Sequence, residues 1–340
     1  MFLRNSALAL LLCLAAPLAR AQDRTFTDGA GRQIDVPQHI ERVFAAGSPA
    51  ATTLYTLAPQ MLLGWTAPLS DAEKAFLPAR YAALPVLGRL TGRANTANVE
   101  TVLAARPDII LDLGDVDPTH VSLAERTQEQ TGLPYLIFDG SFDKTPELYE
   151  ALGRLLGTEK EAAELADYAR RTLDEVKEGM ARLPAARRPR VYYARGPDGL
   201  ETALDGSINT EMLRYVGAEN VARSPDRHNT ATASPEQILA WDPDVVITMD
   251  ERFYHAIWDH PLWRGIKAVR DHRVYLLPRL PFGWFDSPPA VNRLIGVRFL
   301  AATLYPDVFP RDLRETTSEF YRLFYHEKLS EAQLDQLLKP

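Results

Sequence analysis

Short apolar runs alternate along this chain with longer stretches in which apolar positions recur every three or four residues. Residues 25–37 alternate around Asp28-Gly29, a pattern that predicts a hairpin. Residues 42–46 predict a strand ending at Gly47, and a helix from Ser48 or Pro49 to Leu57 follows. Residues 109–111, 135–138, 190–194, 245–248 and 274–277 predict further strands. Strands separated by helical stretches imply parallel sheets covered by helices. From residue 158 to 183 the helical period is unbroken through Ala162, Leu165, Ala166, Ala169, Leu173, Val176 and Met180. Gly appears there only at 179 and Pro only after it, at 184, so one helix of about six turns is predicted.

The two halves flanking that helix share a segment. NVETVLAARPDII at 98–110 recurs as SPEQILAWDPDVV at 234–246, with Glu, Leu-Ala and Pro-Asp in register. Each copy reads as a short helix stopped at Pro and then a buried strand. The expected fold is α/β, with two Rossmann-like lobes joined by a single long helix. The partition that follows is 22–157 for the N-terminal lobe, 158–183 for the interlobe helix, and 184–340 for the C-terminal lobe with a C-terminal helix.

The first residues belong to a different pattern. Arg4, an apolar run at 7–18 and Ala19-Arg20-Ala21 have the anatomy of a secretory signal peptide over 1–21, cleaved before Gln22. Cys13, the one cysteine, lies inside the apolar run and leaves with it, so no disulfide or thiolate metal site is expected in the mature chain. Loss of Arg4 and Arg20 moves the formal charge from −7 to about −9, which argues against nucleic acid as a partner. The chain has no Gly-x-Ser-x-Gly, P-loop, His-Glu-x-x-His or Gly-x-Gly-x-x-Gly, so catalysis is not expected. His255 and His260 lack a third metal ligand, and no cofactor is expected.

Ligands of open α/β sheets bind beyond the carboxyl ends of the strands. That rule selects Arg89, Arg195 and Arg252 as forked donors to an anion, and Trp65 and Trp284 as flat apolar walls. Asp286 reads as a cap for a helix that starts at Ser287-Pro288-Pro289. Tyr193, His228, Tyr254 and His255 are the side chains to consider as direct metal or haem ligands.

Several segments together resemble one known family. These are TDGAGRQIDVPQHIERVFAAG at the start, the two repeat segments, the long helix and FYHEKLSEAQLDQLL near the end. Their order and spacing resemble the periplasmic binding proteins for ferric siderophores, cobalamin and haem. The resemblance implies a monomer in the periplasm with a ligand cleft between the lobes, which move little about a rigid helix. It also implies that a surface glutamate of each lobe, here Glu100 and Glu236, docks to arginines of an ABC permease dimer with its ATPase. The expected function is capture of an iron complex, a ferric siderophore or similar chelate, for delivery to that permease. Haem, cobalamin and molybdate or tungstate are the alternatives on the same fold. A ligand sensor or an enzyme would be a different class.

Overall fold

The computed structural model describes residues 23–92, 95–184, 187–224, 229–310 and 312–339. The segment 1–21 expected to be a signal peptide, with Cys13, and His228 lie outside them. The chain opens with β1 (Arg24–Thr27) and β2 (Gln33–Val36), antiparallel with Phe26 opposite Ile34. Their turn does more than reverse the chain. The Asp28 carboxylate accepts from the backbone of Ala30 and Arg32 and from the Arg32 guanidinium. Gly29 donates to the Ile137 carbonyl at 2.7 Å, and a Cβ on it would stand 2.9 Å from that oxygen. The Asp-Gly pair therefore docks the hairpin onto the first lobe.

The first lobe is a parallel sheet of order β3-β4-β5, made of β3 (Val43–Ala45), β4 (Ile109–Gly114) and β5 (Tyr135–Asp139). Its helices are α1 (Ser48–Leu57), the single turns α2 (Asp71–Lys74) and α3 (Ala79–Ala82), α4 (Val99–Ala105), α5 (Pro118–Thr131) and α6 (Thr145–Leu156). The long helix α7 (Glu159–Ala181) follows, and every position named from its period is buried. At 1.5 Å per residue it is about 34 Å long. Gly153 of α6 sits against Ala162 of α7, where any side chain would hold the two helices apart.

The second lobe is a parallel sheet of order β11-β10-β6-β8, with β6 (Arg190–Ala194) and β8 (Glu219–Asn220). A small ribbon pairs β7 (Glu201–Ala203) with β9 (Thr230–Thr232), and β10 (Val245–Thr248) and β11 (Val274–Leu276) complete the strands. Around them lie α8 (Glu211–Tyr215), α9 (Pro235–Trp241), α10 (Glu251–Ala256), α11 (Lys267–Arg270) and α12 (Arg293–Leu304). The chain ends with α13 (Arg314–Phe324) and α14 (Glu331–Leu338). These last helices close over the first lobe as well as the second. Phe324 packs on Tyr149 and Tyr168, Tyr325 on Tyr55, and Gln333 donates to the Ala75 carbonyl.

The sequence repeat is also a structural one. Helices α4 and α9 each end on a residue in the left-handed conformation, Arg106 (φ 47°) and Asp242 (φ 35°). The Asp after each Pro then ties its strand to a neighbour. Asp108 accepts from the Arg42 amide at 2.8 Å, and Asp244 from the Arg190 amide at 2.9 Å. The Pro-Asp pair is thus a clamp at the amino end of each sheet.

Candidate functional site

Both sheets point their carboxyl ends at one cavity of about 660 Å³. The first lobe contributes the start of α1, the segment 65–69, Arg89 and Thr91, the end of β4 and His120 of α5. The second contributes Arg195, Asn209, Asn229, Phe282 and the segment 286–289. A polar bridge lies between the lobes. Arg293 of α12 is buried, and it donates to Glu211 at 2.8 Å and to the Gly140 carbonyl at 2.6 Å. Glu211 in turn accepts from the Phe142 amide at 3.0 Å.

Helix α1 begins at the cavity wall. Its N-cap is Gly47, extended, with no side chain capping the first turn. The positive end of the helix therefore faces the cavity, with the Ser48 amide at its edge and no N–H at Pro49, an arrangement suited to negative charge. The Ser48 and Thr66 hydroxyls lie 2.8 Å apart on the same wall. Gly47 is required by its neighbour, since a Cβ there would come within 2.6 Å of the Thr91 hydroxyl. Thr91 donates to Asp112 at 3.0 Å, and Tyr135 donates to the other oxygen of that carboxylate at 3.0 Å. Burial pushes the Asp112 carboxyl above its ordinary pKa, opposed by those hydroxyls and by the Leu113 amide.

Arg195 enters from the second lobe at the end of β6. Its guanidinium is bonded to Asp286 and reaches Glu201 at 3.1 Å. Tyr193, on the same strand, donates to the other Asp286 oxygen at 2.6 Å. Burial raises the Asp286 carboxyl, while Arg195 and Tyr193 pull it down. One guanidinium thus serves two carboxylates, and its charge is compensated before any ligand arrives.

The five residues selected as ligand contacts separate on this geometry. Arg89 and Arg195 line the cavity. Trp65 does too, but it is mostly core: 4% exposed, donating to the Tyr81 carbonyl and packed on Tyr55 and Phe282. Arg252 does not line it. Its side chain is 76% exposed and paired with Asp250, which caps α10. Trp284 does not line it either. It is fully buried, with its indole N–H on the Tyr321 hydroxyl at 3.2 Å. Of these five residues, two arginines and the edge of one tryptophan therefore line the cavity.

The candidates for direct metal contact separate as well. Tyr193 is buried and committed to Asp286, while Tyr254 and His255 sit on α10 away from the cavity. Asp286 is not a helix cap, since α12 starts only at Arg293. Glu100 and Glu236 are exposed in the first turns of α4 and α9 and do not line the cavity.

Sequence reasoning missed Thr66, Thr91, Asp112 and His120. Asp112 carried a signal, as the one charge inside the apolar run 109–113. His120 lies 3.0 Å from Asp117, the N-cap of α5, and among the described residues it is the imidazole that lines the cavity. Among the described residues no group of His, Cys, Asp and Glu is arranged to hold a bare metal ion, and no helix is long and apolar enough to cross a membrane.

The profile of the family described as periplasmic binding protein matches residues 58–280. An ABC transporter solute-binding protein from Sulfurospirillum deleyianum superposes with a TM-score of 0.85 and 32% identity, covering 93% of this chain and 99% of that one. The molybdate-binding protein MolA of Haemophilus influenzae is 28% identical over 93% of this chain and 95% of its own. The haem uptake protein IsdE of Staphylococcus aureus is 24% identical over 61% of this chain and 70% of its own. With its two helix-joined lobes and the cavity between them, the chain belongs to the periplasmic binding protein family that serves ABC importers.

Proposed function

We propose that this chain captures an anionic, metal-containing solute in the interlobe cavity and delivers it to an ABC permease. The observation that carries the ligand class is the uncapped start of α1, which faces the same space as Arg89 and the Ser48–Thr66 hydroxyl pair. Backbone amides, hydroxyls and a guanidinium are donors that an oxyanion uses from several directions at once. An oxyanion of the molybdate type is the first reading, supported by similarity to MolA over nearly the full length of both chains. A ferric chelate such as a siderophore is the second, supported by a volume of about 660 Å³, the size that encloses an organic ligand. Haem is a third reading: Tyr193, Tyr254 and His255 do not line the cavity, so His120 is the described side chain that would ligate its iron.

Export through the segment 1–21 places the protein in the periplasm on this reading. Glu100 and Glu236 then present one carboxylate from each lobe to the permease dimer. Calorimetric titration of the purified protein against molybdate, tungstate, sulfate, a ferric siderophore, haemin and cobalamin tests the ligand class. One metal-containing anion should bind at one equivalent, and Arg89→Ala should weaken it about tenfold or more. Tight binding of cobalamin alone, or unchanged affinity in Arg89→Ala, contradicts the proposal.

A further inference from the structure

Among the described residues three large hydrophobic side chains are exposed: Val86 at 50%, and Leu103 and Leu239 at 46% each. Single exposed leucines are ordinary. These two are not independent, for they occupy the same position in the two copies of the repeat. The surroundings match as well. Each helix is capped at its start by a side chain, Asn98 or Ser234, and closed by a left-handed residue before Pro-Asp. Each is held by one fully buried β-branched residue, Val102 or Ile238. Each exposes Glu, then Leu three residues later, then Ala: Glu100, Leu103 and Ala104 on α4, and Glu236, Leu239 and Ala240 on α9. Residues three apart share a helix face, so in both lobes a carboxylate and a leucine stand side by side.

Folding explains the buried residue of each helix but not the exposed leucine. Ligand binding does not explain it either, because neither leucine lines the cavity. We infer that Leu103 and Leu239 are a matched pair of apolar anchors that seat the two lobes on the two halves of a dimeric membrane permease. This inference rests on the importer reading. A partner built from two equal subunits offers the same recess twice, and a binding protein with two like lobes can fill both. The chemistry required of each recess is an apolar floor beside a basic group. A second copy of this chain fits less well, since its own Glu100 and Glu236 would meet like charge. In this division the glutamates steer and orient, and the leucines supply contact that salt does not screen.

The test measures docking of the purified protein to its permease–ATPase complex in lipid nanodiscs, by biolayer interferometry at low and high salt. The variants are Leu103→Ser, Leu239→Ser, both together, and Leu103→Met as the conservative control. Each single Ser variant should lose about tenfold in affinity and the pair about a hundredfold, equally at both salt concentrations. Leu103→Met should dock like wild type, and the unfolding midpoints should be unchanged because the sites are exposed. Glu100→Ala should weaken docking chiefly at low salt. If wild type docks and the double Ser variant docks equally well, the leucine anchors are refuted while the importer reading stands. If wild type does not dock at all, both fall together.

Discussion

Replacing Asp286 with Asn would test how Arg195 is presented to a ligand. In wild type one guanidinium faces two carboxylates, Asp286 and Glu201, so the cluster carries a formal balance of −1 at the cavity wall. Asn keeps the size, and its oxygen still accepts from the Tyr193 hydroxyl, while its NH2 cannot accept from Arg195 and so releases that guanidinium towards the cavity and Glu201. The balance becomes zero. A sphere of about 660 Å³ has a radius near 5 Å, which places an anion roughly 8 Å from the cluster. At an effective dielectric constant of about 20, removing one negative charge at that distance gains about 2 kcal/mol per unit of ligand charge. Solvent in the open cleft reduces this to about 1–2 kcal/mol, a gain of roughly 5- to 30-fold in affinity. Titration with molybdate at low salt reads the gain directly, and added salt should shrink it. Unchanged or weaker affinity in a folded Asp286→Asn protein would refute the electrostatic reasoning and remove Arg195 from the ligand's neighbourhood.

Other expectations follow from the same geometry. Asp286→Ala should cost about 3 kcal/mol, because it strips the partner from a buried Tyr193 hydroxyl and one partner from Arg195, and thermal unfolding should register it as a large drop in midpoint. Anion affinity should rise as pH falls through the raised pKa of Asp112, since protonation removes a negative charge from the wall; titration across the acidic range should show the slope, and Asp112→Asn should flatten it. By linkage the native state binds that proton more tightly, so the Asp112 contribution to stability is present at low pH and is lost as pH rises through the folded pKa. Gly47→Ala forces a Cβ to 2.6 Å from the Thr91 hydroxyl, and should weaken ligand binding and cost about 1–3 kcal/mol in a denaturant titration. Arg252→Ala, exposed and outside the cavity, should bind the ligand as wild type does.

Much of the fold was legible because it rests on local rules. The Asp-Gly turn, the apolar strand runs and the period of 158–183 each depend on neighbours in sequence, and they reappear as β1–β2, the two parallel sheets and α7. The repeat was legible because its Pro-Asp clamp uses the same residues twice. The site was legible only as a set of loops. Position after a strand says that a side chain is near the cavity mouth, not which way it turns. Arg252 turns to Asp250 two residues away, and Trp284 turns into a core completed by Tyr321 from a distant helix. Asp286 looked like a cap because its true partners, Tyr193 and Arg195, lie more than ninety residues earlier. The hydroxyls of Thr66 and Thr91 gain meaning only once α1 is known to start uncapped beside them.

The central claim is that the protein carries an anionic metal species through the periplasm. Native mass spectrometry with elemental analysis, on protein purified from its own periplasm, tests it most directly. The account predicts one equivalent of a metal-containing anion on the wild-type chain, much reduced in Arg89→Ala and retained in Arg252→Ala. A metal-free organic ligand, or a ligand held equally by Arg89→Ala, would contradict it.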